Sequence, residues 1–402
     1  MKKTYMTGFA GVVLAGLVIL VTGCDLSVTN PGPIADAALN TPSAMPALVV
    51  GMSADLSVAV TQTAEAVALM SGEMVEAGNY ADQQYWYAGT FGPDEVITQW
   101  DDMQQARWVA EHGILRMQKV MGSDFDTDAL APQAYLWAGY SNRLLGENVC
   151  QAVIDGGPAL SDSVYFQRAD SDFTQALTYA QAQGDTTLMN AALAGRASVL
   201  LSLGDWSGAV ADAQQVPADF VYDAIFSTNT ERENNDLAYN TVSRREYSVW
   251  GTQWANVFND PRVPWDTVYA GSQVQNGQDG HTPYLRQMKY PSLASNMPLS
   301  SGAEMLLIRA EAALRNSDLA SFTTLVNDER AVYGMAPISQ PANVASAWPT
   351  LEFERGAVLW LEARRLWDLR RWGAQGVNNF LQGRNSCIPI ASDEALSNPN
   401  LH

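Results

Sequence analysis

The stretch EMLLIRAEAALRNSDLASFTTLVNDERAVYGM, residues 304–335, decides how this chain folds. It begins with a run rich in alanine and leucine, and Asn316 and Ser317 interrupt it before a second run with helical spacing. A small-residue helix, a tight polar turn and a second helix form the layout of a tetratricopeptide hairpin. We therefore predict a pair of helices here, over residues 303–314 and 318–333.

The same layout occurs earlier in the chain. Residues 131–145 form a small-residue run that ends in Leu-Gly-Glu, and residues 188–203 form another that ends in Leu-Gly-Asp before a second helix over 206–215. The copies are irregularly spaced and long insertions separate them. We predict a mostly all-α fold with degenerate helical hairpins, over about residues 94–217 and 303–372 of one larger domain.

Three further segments have helical patterns. Residues 42–76 are rich in Ala, Val, Met and Leu, which indicates one or two helices packed on a core. Residues 93–121 repeat apolar side chains at spacings of three and four, and Gly122 suits the end of that helix. Residues 351–372 interleave leucines with arginines and acids. We predict one helix there, whose arginines pair with acids of neighbouring helices and form an ion-pair framework, not a binding site.

Two segments have no clear period and are rich in aromatic and polar residues. Residues 79–91 are interpreted as a loop, and residues 222–300 as a loop-rich insertion with one or two short strands. Aromatic rings stack on the C–H faces of sugars, while amides and acids bind sugar hydroxyls. The candidate ligand contacts in these segments are Tyr85, Trp86, Tyr87, Trp265, Tyr269 and Tyr284. The alternative is that these rings pack the core of the loop-rich lobe itself.

The charge of the chain narrows the classes of partner. The formal net charge is −20, which argues against nucleic acid because phosphate binding needs clustered Lys and Arg. The acidic cluster Asp124, Asp126 and Asp128 would suit Ca²⁺, but it lacks the Gly and the distal Glu of an EF-hand loop. The three histidines have no zinc-site spacing. We expect no cofactor, and a surface hydrolase stays open only because carboxylate pairs are abundant.

The start of the chain indicates export and lipidation. Lys2 and Lys3 precede an apolar run that closes on Val-Thr-Gly before Cys24. This is the layout of a lipoprotein signal peptide, residues 1–23, and acyl chains on Cys24 would anchor the protein to a membrane. A plain secretory signal is the alternative. We expect a tether over residues 24–41 and a domain over 42–402, with no membrane-spanning segment after the leader.

Two cysteines remain after Cys24 is assigned to lipid. Cys150 and Cys387 form an even pair in an exported chain, and we predict a disulfide between them. Two buried free thiols are the alternative.

Four stretches together resemble the SusD/RagB family of outer-membrane nutrient-binding lipoproteins. They are CDLSVTNPG from Cys24, the hairpin stretch at residues 304–335, LEFERGAVLWLEARRLWDLRRWG at 351–373 and CIPIASDEALSNPNL at 387–401. In two places the chain departs from the family pattern: Val358 stands where Glu is frequent, and Ala363 where Gly is frequent.

The resemblance implies an α-helical fold with four tetratricopeptide-like hairpins and a loop-rich lobe. It also implies nutrient uptake without catalysis: the protein binds an oligosaccharide or a peptide at the cell surface and hands it to a TonB-dependent outer-membrane barrel. A tetratricopeptide scaffold that binds only protein is the remaining alternative. Asp25 retains lipoproteins in the inner membrane of some bacteria, so display on the outer face rests on the resemblance.

Overall fold

The structure is a computed structural model, and it describes residues 36–401. The predicted signal peptide, Cys24 and the first part of the expected tether lie outside the described residues.

The described chain is mainly helical, which confirms the predicted fold class. The helices are α1 (Met45–Met70), α2 (Ala81–Ala88), α3 (Ile97–Met121), α4 (Ala131–Asn148), α5 (Ser163–Gln183), α6 (Thr186–Leu203), α7 (Trp206–Ala213), α8 (Asp236–Ala238), α9 (Gly302–Arg315), α10 (Leu319–Val332), α11 (Val344–Val358), α12 (Arg365–Ala374) and α13 (Ser392–Ser397). The strands are β1 (Val75–Glu76), β2 (Gln151–Ala152), β3 (Leu160–Ser161), β4 (Val221–Ala224), β5 (Tyr247–Ser248), β6 (Trp265–Thr267), β7 (Tyr269–Ala270), β8 (Gln273–Val274), β9 (Leu285–Gln287) and β10 (Met297–Ser301).

The hairpin of helices α9 and α10 forms as predicted. Ser317 adopts a positive φ of 60° in the turn, and the carboxylate of Asp318 accepts the backbone N–H of Ser321 at 3.0 Å. The turn between α6 and α7 uses the same chemistry, because Gly204 has a φ of 83° and Asp205 caps α7 by accepting the N–H of Gly208. Side-chain acceptors at the N-cap satisfy N–H groups that a helix cannot pair internally.

Small residues let the central helices approach closely. Helix α5 packs against both α4 and α6. The Phe173 ring of α5 fills the space beside Gly195, where an added Cβ would lie 2.4 Å from that ring. The small-residue pattern therefore marks the sites that receive large side chains from α5, although α5 itself was not among the predicted helices.

Helix α4 is longer than predicted, and the expected turn at Leu-Gly-Glu is wrong. The helix continues to Asn148, and Glu147 is buried against the Arg364 guanidinium at 2.8 Å. A buried ion pair with a distant segment holds the last turn in place. No local pattern encodes such a contact.

The arginine-rich segment is two helices, not the single predicted one. Helix α11 ends at Val358 and α12 starts at Arg365, and Leu361 and Ala363 between them have φ values of 61° and 60°. The N–H of Leu361, freed from helical bonding, donates to the buried carboxylate of Glu73 at 2.7 Å. The break between α11 and α12 is therefore bonded to the segment that follows α1.

The predicted ion-pair framework is confirmed for most of these arginines. Its pairs are Arg355–Asp368 at 2.7 Å, Arg364–Glu304 at 2.8 Å, Arg370–Asp162 at 2.9 Å and Arg371–Glu311 at 2.5 Å. The Glu304 and Glu311 carboxylates belong to α9, so the framework fastens α11 and α12 to the terminal hairpin.

The lobe between α7 and α9 contains more strands than the one or two predicted. Within the lobe the antiparallel pairs are β4–β10, β6–β9 and β7–β8, and β5 pairs with β1 from the region after α1. The remaining pair, β2–β3, lies outside the lobe, between α4 and α5. Each strand is short, and long-range partners complete several pairs, so periodicity within one segment carries little signal.

The predicted disulfide Cys150–Cys387 is present and links residues separated by 237 positions. The backbone of Cys150 also donates to the carbonyl of Ile388 at 2.9 Å, beside a parallel bridge between Val149 and Ile388. The end of the chain is therefore fastened to the end of α4.

One segment after the leader is long and apolar enough to cross a membrane, contrary to our expectation. An 18-residue window within residues 42–70 has a mean hydropathy of 1.5, and half of that window is buried in the protein. Helix α1 packs against α3 and α4 and supplies much of the main core. Its apolar character is explained by burial inside the domain.

Candidate ligand-binding cleft beside helix α2

The aromatic segment that we interpreted as a loop contains helix α2. The helix ends at Gly89, whose φ of 72° suits a left-handed cap. Helical geometry separates the neighbouring rings: Tyr85 and Tyr87 are exposed, whereas Trp86 is buried. Adjacent aromatic residues therefore point to different sides of α2.

A second element faces α2 across a cleft. Residues Tyr239–Ser243 form a π-helical turn directly after α8, and Arg245 follows with a φ of 59°. π-Helical turns are rare and frequently occur at functional sites, because the extra residue redirects the side chains around it. Here the turn carries Tyr239, and Arg244 directly after it lies against the rings of both Tyr239 and Tyr80, the residue that precedes α2.

The cleft between these elements has a volume of about 490 Å³. Aromatic, amide and acidic side chains line it. They are Gln62, Tyr80, Asp82, Gln83, Trp86, Asp94, Glu95, Ile97, Thr98, Gln99, Asp236, Tyr239, Asn240, Arg244 and Glu246.

Arg244 joins the two exposed tyrosines of the cleft. Its guanidinium carbon lies 5.5 Å from the ring centroid of Tyr80 and 5.9 Å from that of Tyr239. One nitrogen donates to the Tyr80 hydroxyl at 2.8 Å, and Nε donates to the Glu246 carboxylate. The hydrogen bond to Glu246 raises the pKa of Arg244. The rings are 50% and 40% exposed, so each keeps surface that a ligand could contact.

Amide groups of the cleft are held in fixed orientations. The Nε2 of Gln83 donates to Glu246 at 2.9 Å, and the Nε2 of Gln62 donates to Asp236 at 2.7 Å. The Oε1 of Gln83 is buried without a hydrogen-bond partner. This oxygen is packed close to Gly78, where an added Cβ would lie 2.8 Å from it, so it is not available to a ligand in the cleft.

Several acidic side chains lie close together in the cleft, and their surroundings raise the pKa values of two of them. Burial raises the pKa of Asp82, and the neighbouring Glu95 raises it further. Burial likewise raises the pKa of Asp236. A group of carboxylates with one arginine gives this cleft a negative balance, which disfavours anionic ligands.

The six predicted aromatic contacts do not come together in one site. Trp86 lines the cleft, and its Nε1 donates to the Glu95 carbonyl at 2.8 Å. Tyr87 lines a different cavity, on the other side of α2, while Tyr85 lies exposed. Tyr269 is 62% exposed in the β7–β8 hairpin. Tyr284 is buried in the lobe, as the alternative interpretation expects.

Trp265 borders a third cavity, of about 680 Å³, together with the exposed Phe258. The two ring centroids are 5.4 Å apart. The Nε1 of Trp265 already donates to the carbonyls of Trp254 and Val257, both at 3.0 Å. This cavity is lined mainly by Pro, Val, Phe and Trp side chains and offers few free hydrogen-bonding groups.

Tyr80, Tyr239 and Arg244 were not among the predicted contacts. Tyr80 stands in the aromatic segment that drew attention to this region, but nothing in its neighbourhood distinguishes it from Tyr85. Tyr239 and Arg244 depend on the π-helical turn, which has no sequence signature.

We found no arrangement of side chains suited to a metal ion within residues 36–401. No group of three or more His, Cys, Asp or Glu side chains in this part of the chain is arranged to hold a metal ion. Asp124 and Asp126 belong to the 3-10 turn Gly122–Thr127 that follows α3.

Comparison with known proteins supports the resemblance. Residues 228–400 match the sequence model of the SusD family. No curated protein sequence matches the chain.

Several solved structures share the fold. A SusD superfamily protein of Bacteroides vulgatus is 14% identical with a TM-score of 0.67, and the match covers 90% of this chain and 98% of that one. A SusD-like protein of Bacteroides fragilis is 13% identical with a TM-score of 0.68, covering 92% and 98%. A laminarin-binding SusD-like protein is 14% identical with a TM-score of 0.60, covering 90% and 98%.

The predicted family resemblance is therefore confirmed: residues 228–400 carry the sequence pattern of the SusD family, and the described chain has the SusD-like fold from end to end.

Proposed function

We propose that this protein is an outer-membrane lipoprotein that binds an oligosaccharide in the cleft beside α2 and delivers it to a TonB-dependent barrel. The cleft carries the proposal, because it combines two partly exposed tyrosines with fixed amides and carboxylates. A SusD-like protein of the same fold binds laminarin, which supports a glycan as the ligand class.

The chemistry of the cleft favours a neutral glycan. The free surfaces of Tyr80 and Tyr239 suit the C–H face of a sugar ring. The exposed carboxylate of Asp82, which also lines the cleft, suits a sugar hydroxyl as donor. The surrounding acids would repel a carboxylate or a sulfate on the sugar.

The binding experiment is calorimetry of the purified protein with neutral β-glucan and α-glucan oligosaccharides and with a uronate oligosaccharide. We expect a neutral series to bind, and Tyr80→Ala and Tyr239→Ala each to weaken binding about tenfold. Tyr269→Ala removes a similarly exposed ring outside the cleft, so its affinity should equal that of the wild type. Equal weakening by all three substitutions would contradict the site.

A peptide ligand is the second candidate, because the acidic cleft also suits a peptide amino group. Binding of basic oligopeptides with no binding of any glycan would establish it. Neither ligand class requires turnover, and we propose a non-catalytic role. Hydrolysis of the bound oligosaccharide during prolonged incubation would overturn that part of the proposal.

The proposed membrane anchor is acylated Cys24, and two measurements test it. Mass spectrometry of the mature protein should find an acylated amino-terminal Cys24, and Cys24→Ser should release the protein from the membrane fraction. Cross-linking in intact cells should connect the protein to a TonB-dependent barrel. A protease added outside should degrade it if it faces outward.

A further inference from the structure

A separate cavity on the opposite side of α2 holds two arginines without acidic partners. It has a volume of about 380 Å³ and lies between the ends of α1 and α2, the start of α12 and the chain around Gly251. Its wall includes Arg365, Arg384, Tyr87, Phe380 and Gln253. Tyr87, Gln253 and Phe380 are exposed at its mouth, so the cavity communicates with solvent.

Arg365 is the exception in the arginine framework. It is only 7% exposed, yet it makes no ion pair within the described residues, and its Nε and Nη1 are buried without hydrogen-bond partners there. These two nitrogens are closed off from solvent, which leaves Nη2 as the guanidinium nitrogen available to a ligand in the cavity. The guanidinium lies 5.1 Å from the Trp254 ring and close to Gly356, where an added Cβ would stand 2.1 Å from Nη1. Packing therefore holds the side chain in position although no polar group satisfies it.

Neighbouring carboxylates do not neutralise Arg365. Glu73 is the acid that acts on it most strongly, but its Oε1 accepts from Leu361 N–H and its Oε2 from the Ser71 hydroxyl. Burial raises the pKa of Glu73 to about 7, so this group is only partly ionised at neutral pH. Asp368 and Glu352, the other acids near Arg365, are bound to Arg355 and Asn378 respectively.

Arg384 adds a second positive group on the same wall. Its Nη2 donates to the carbonyls of Tyr87 at 2.6 Å and Met70 at 3.4 Å, and its Nη1 donates to the Ala88 carbonyl at 3.3 Å. The guanidinium lies 5.1 Å from the Phe380 ring. Its Nε is buried without a partner. Arg365 is also the first residue of α12, and the free N–H groups of a helix start add positive potential.

We propose that this cavity binds the oxyanion group of a small ligand, with the Arg365 and Arg384 guanidinium groups as its recognition elements. A buried, unpaired guanidinium is costly, and an oxyanion that accepts charge-assisted hydrogen bonds from it offsets that cost. Carboxylate, sulfate and phosphate share this chemistry. The site uses none of the side chains that line the glycan cleft and does not depend on the function proposed for it.

The test is thermal unfolding and calorimetry of the purified protein with sodium glucuronate, sulfate or phosphate, each compared with sodium chloride at equal ionic strength and with neutral glucose. A specific site gives a saturable rise in melting temperature with an oxyanion and none with glucose. A half-saturating concentration at least tenfold lower for glucuronate than for sulfate and phosphate would identify an acidic sugar, and the reverse order an inorganic or esterified oxyanion.

Three variants assign the effect to the cavity. Arg365→Met and Gln253→Glu should each weaken oxyanion binding at least tenfold. Gln253 is exposed, so its replacement adds a competing carboxylate at the mouth without disturbing the core. Arg309→Met removes a guanidinium of α9 that does not line this cavity, and it should bind like the wild type.

Two outcomes would overturn the proposal. One is the absence of a saturable response to every oxyanion, and the other is binding as tight as that of the wild type in both Arg365→Met and Gln253→Glu. Tyr80→Ala should leave oxyanion binding unchanged, so failure of the glycan cleft and failure of this cavity are distinguishable.

Discussion

Arg371 of α12 donates two hydrogen bonds to the Glu311 carboxylate of α9, at 2.5 and 2.7 Å, and both side chains are almost fully buried. The pair is bidentate, and Arg315 and Trp372 donate to the same carboxylate. Such a carboxylate is fully satisfied, but the arginines around it depend on its charge. The terminal hairpin and α12 are therefore joined by a buried charged contact, beside which Arg371 also pairs with Asp368 at 2.8 Å.

Removing the Glu311 carboxylate from this ion pair should strongly destabilise the protein. Glu311→Ala leaves Arg371 with Asp368 as its remaining acidic partner and removes the acceptor of Arg315 and Trp372. We expect the free energy of unfolding to fall by about 3–5 kcal/mol. Urea unfolding followed by circular dichroism measures it. Asp36→Ala breaks the exposed pair with Arg116 and should cost less than about 1 kcal/mol. Similar losses for the two variants would contradict the structural role assigned to Glu311.

Acid should weaken the same framework. Burial alone would raise the pKa values of Glu304 and Glu311, but Arg364 beside Glu304 and Arg371 beside Glu311 outweigh burial and lower both to about 2. A carboxylate with a lowered folded-state pKa contributes stability above its unfolded pKa and loses it as pH falls toward the folded value. Urea midpoints should therefore fall between about pH 4.5 and pH 2, and less steeply in Glu311→Gln. A constant midpoint over this range would refute the expectation.

The disulfide should stabilise the chain through the length of the loop that it closes. Replacing both Cys150 and Cys387 with Ser should lower the free energy of unfolding by about 2–4 kcal/mol. Reductant should lower the stability of the wild type and leave the double variant unchanged. If the two proteins unfold at the same urea concentration under oxidising conditions, the link has no stabilising role.

Two glycines offer a matched test of helix packing. Gly195→Ala places a Cβ 2.4 Å from the Phe173 ring, and we expect a loss of about 1–3 kcal/mol. Gly51→Ala lies within α1 with no heavy atom inside 4 Å of the new Cβ, so helix propensity should raise stability by up to about 1 kcal/mol. Thermal unfolding of the two variants should shift in opposite directions, and shifts in the same direction would argue against close packing at Gly195.

The local pattern of apolar and small residues was sufficient to predict the α9–α10 hairpin, but it was not sufficient to predict the cleft beside α2. Helices α9 and α10 carry their own period, turn and cap, so residues 304–335 specify them without help from the rest of the chain. Helix α2 is a contrary example, because its eight residues are too few and too polar to show a period. The cleft needs α2 and the π-helical turn at Tyr239, which are more than 150 positions apart in sequence.

The sequence by itself determined the helical class, the terminal hairpin, the ion-pair role of most arginines and the partnership of Cys150 with Cys387. Each of these follows from spacing, capping chemistry or the type and number of residues. Tertiary structure alone decided where the arginine-rich segment breaks and which tyrosines line the cleft around Arg244. It also decided why Arg365 lacks an acidic partner within the described residues while Arg364 has two. Those properties depend on which distant groups surround a side chain, and residues adjacent in sequence can have opposite surroundings after folding.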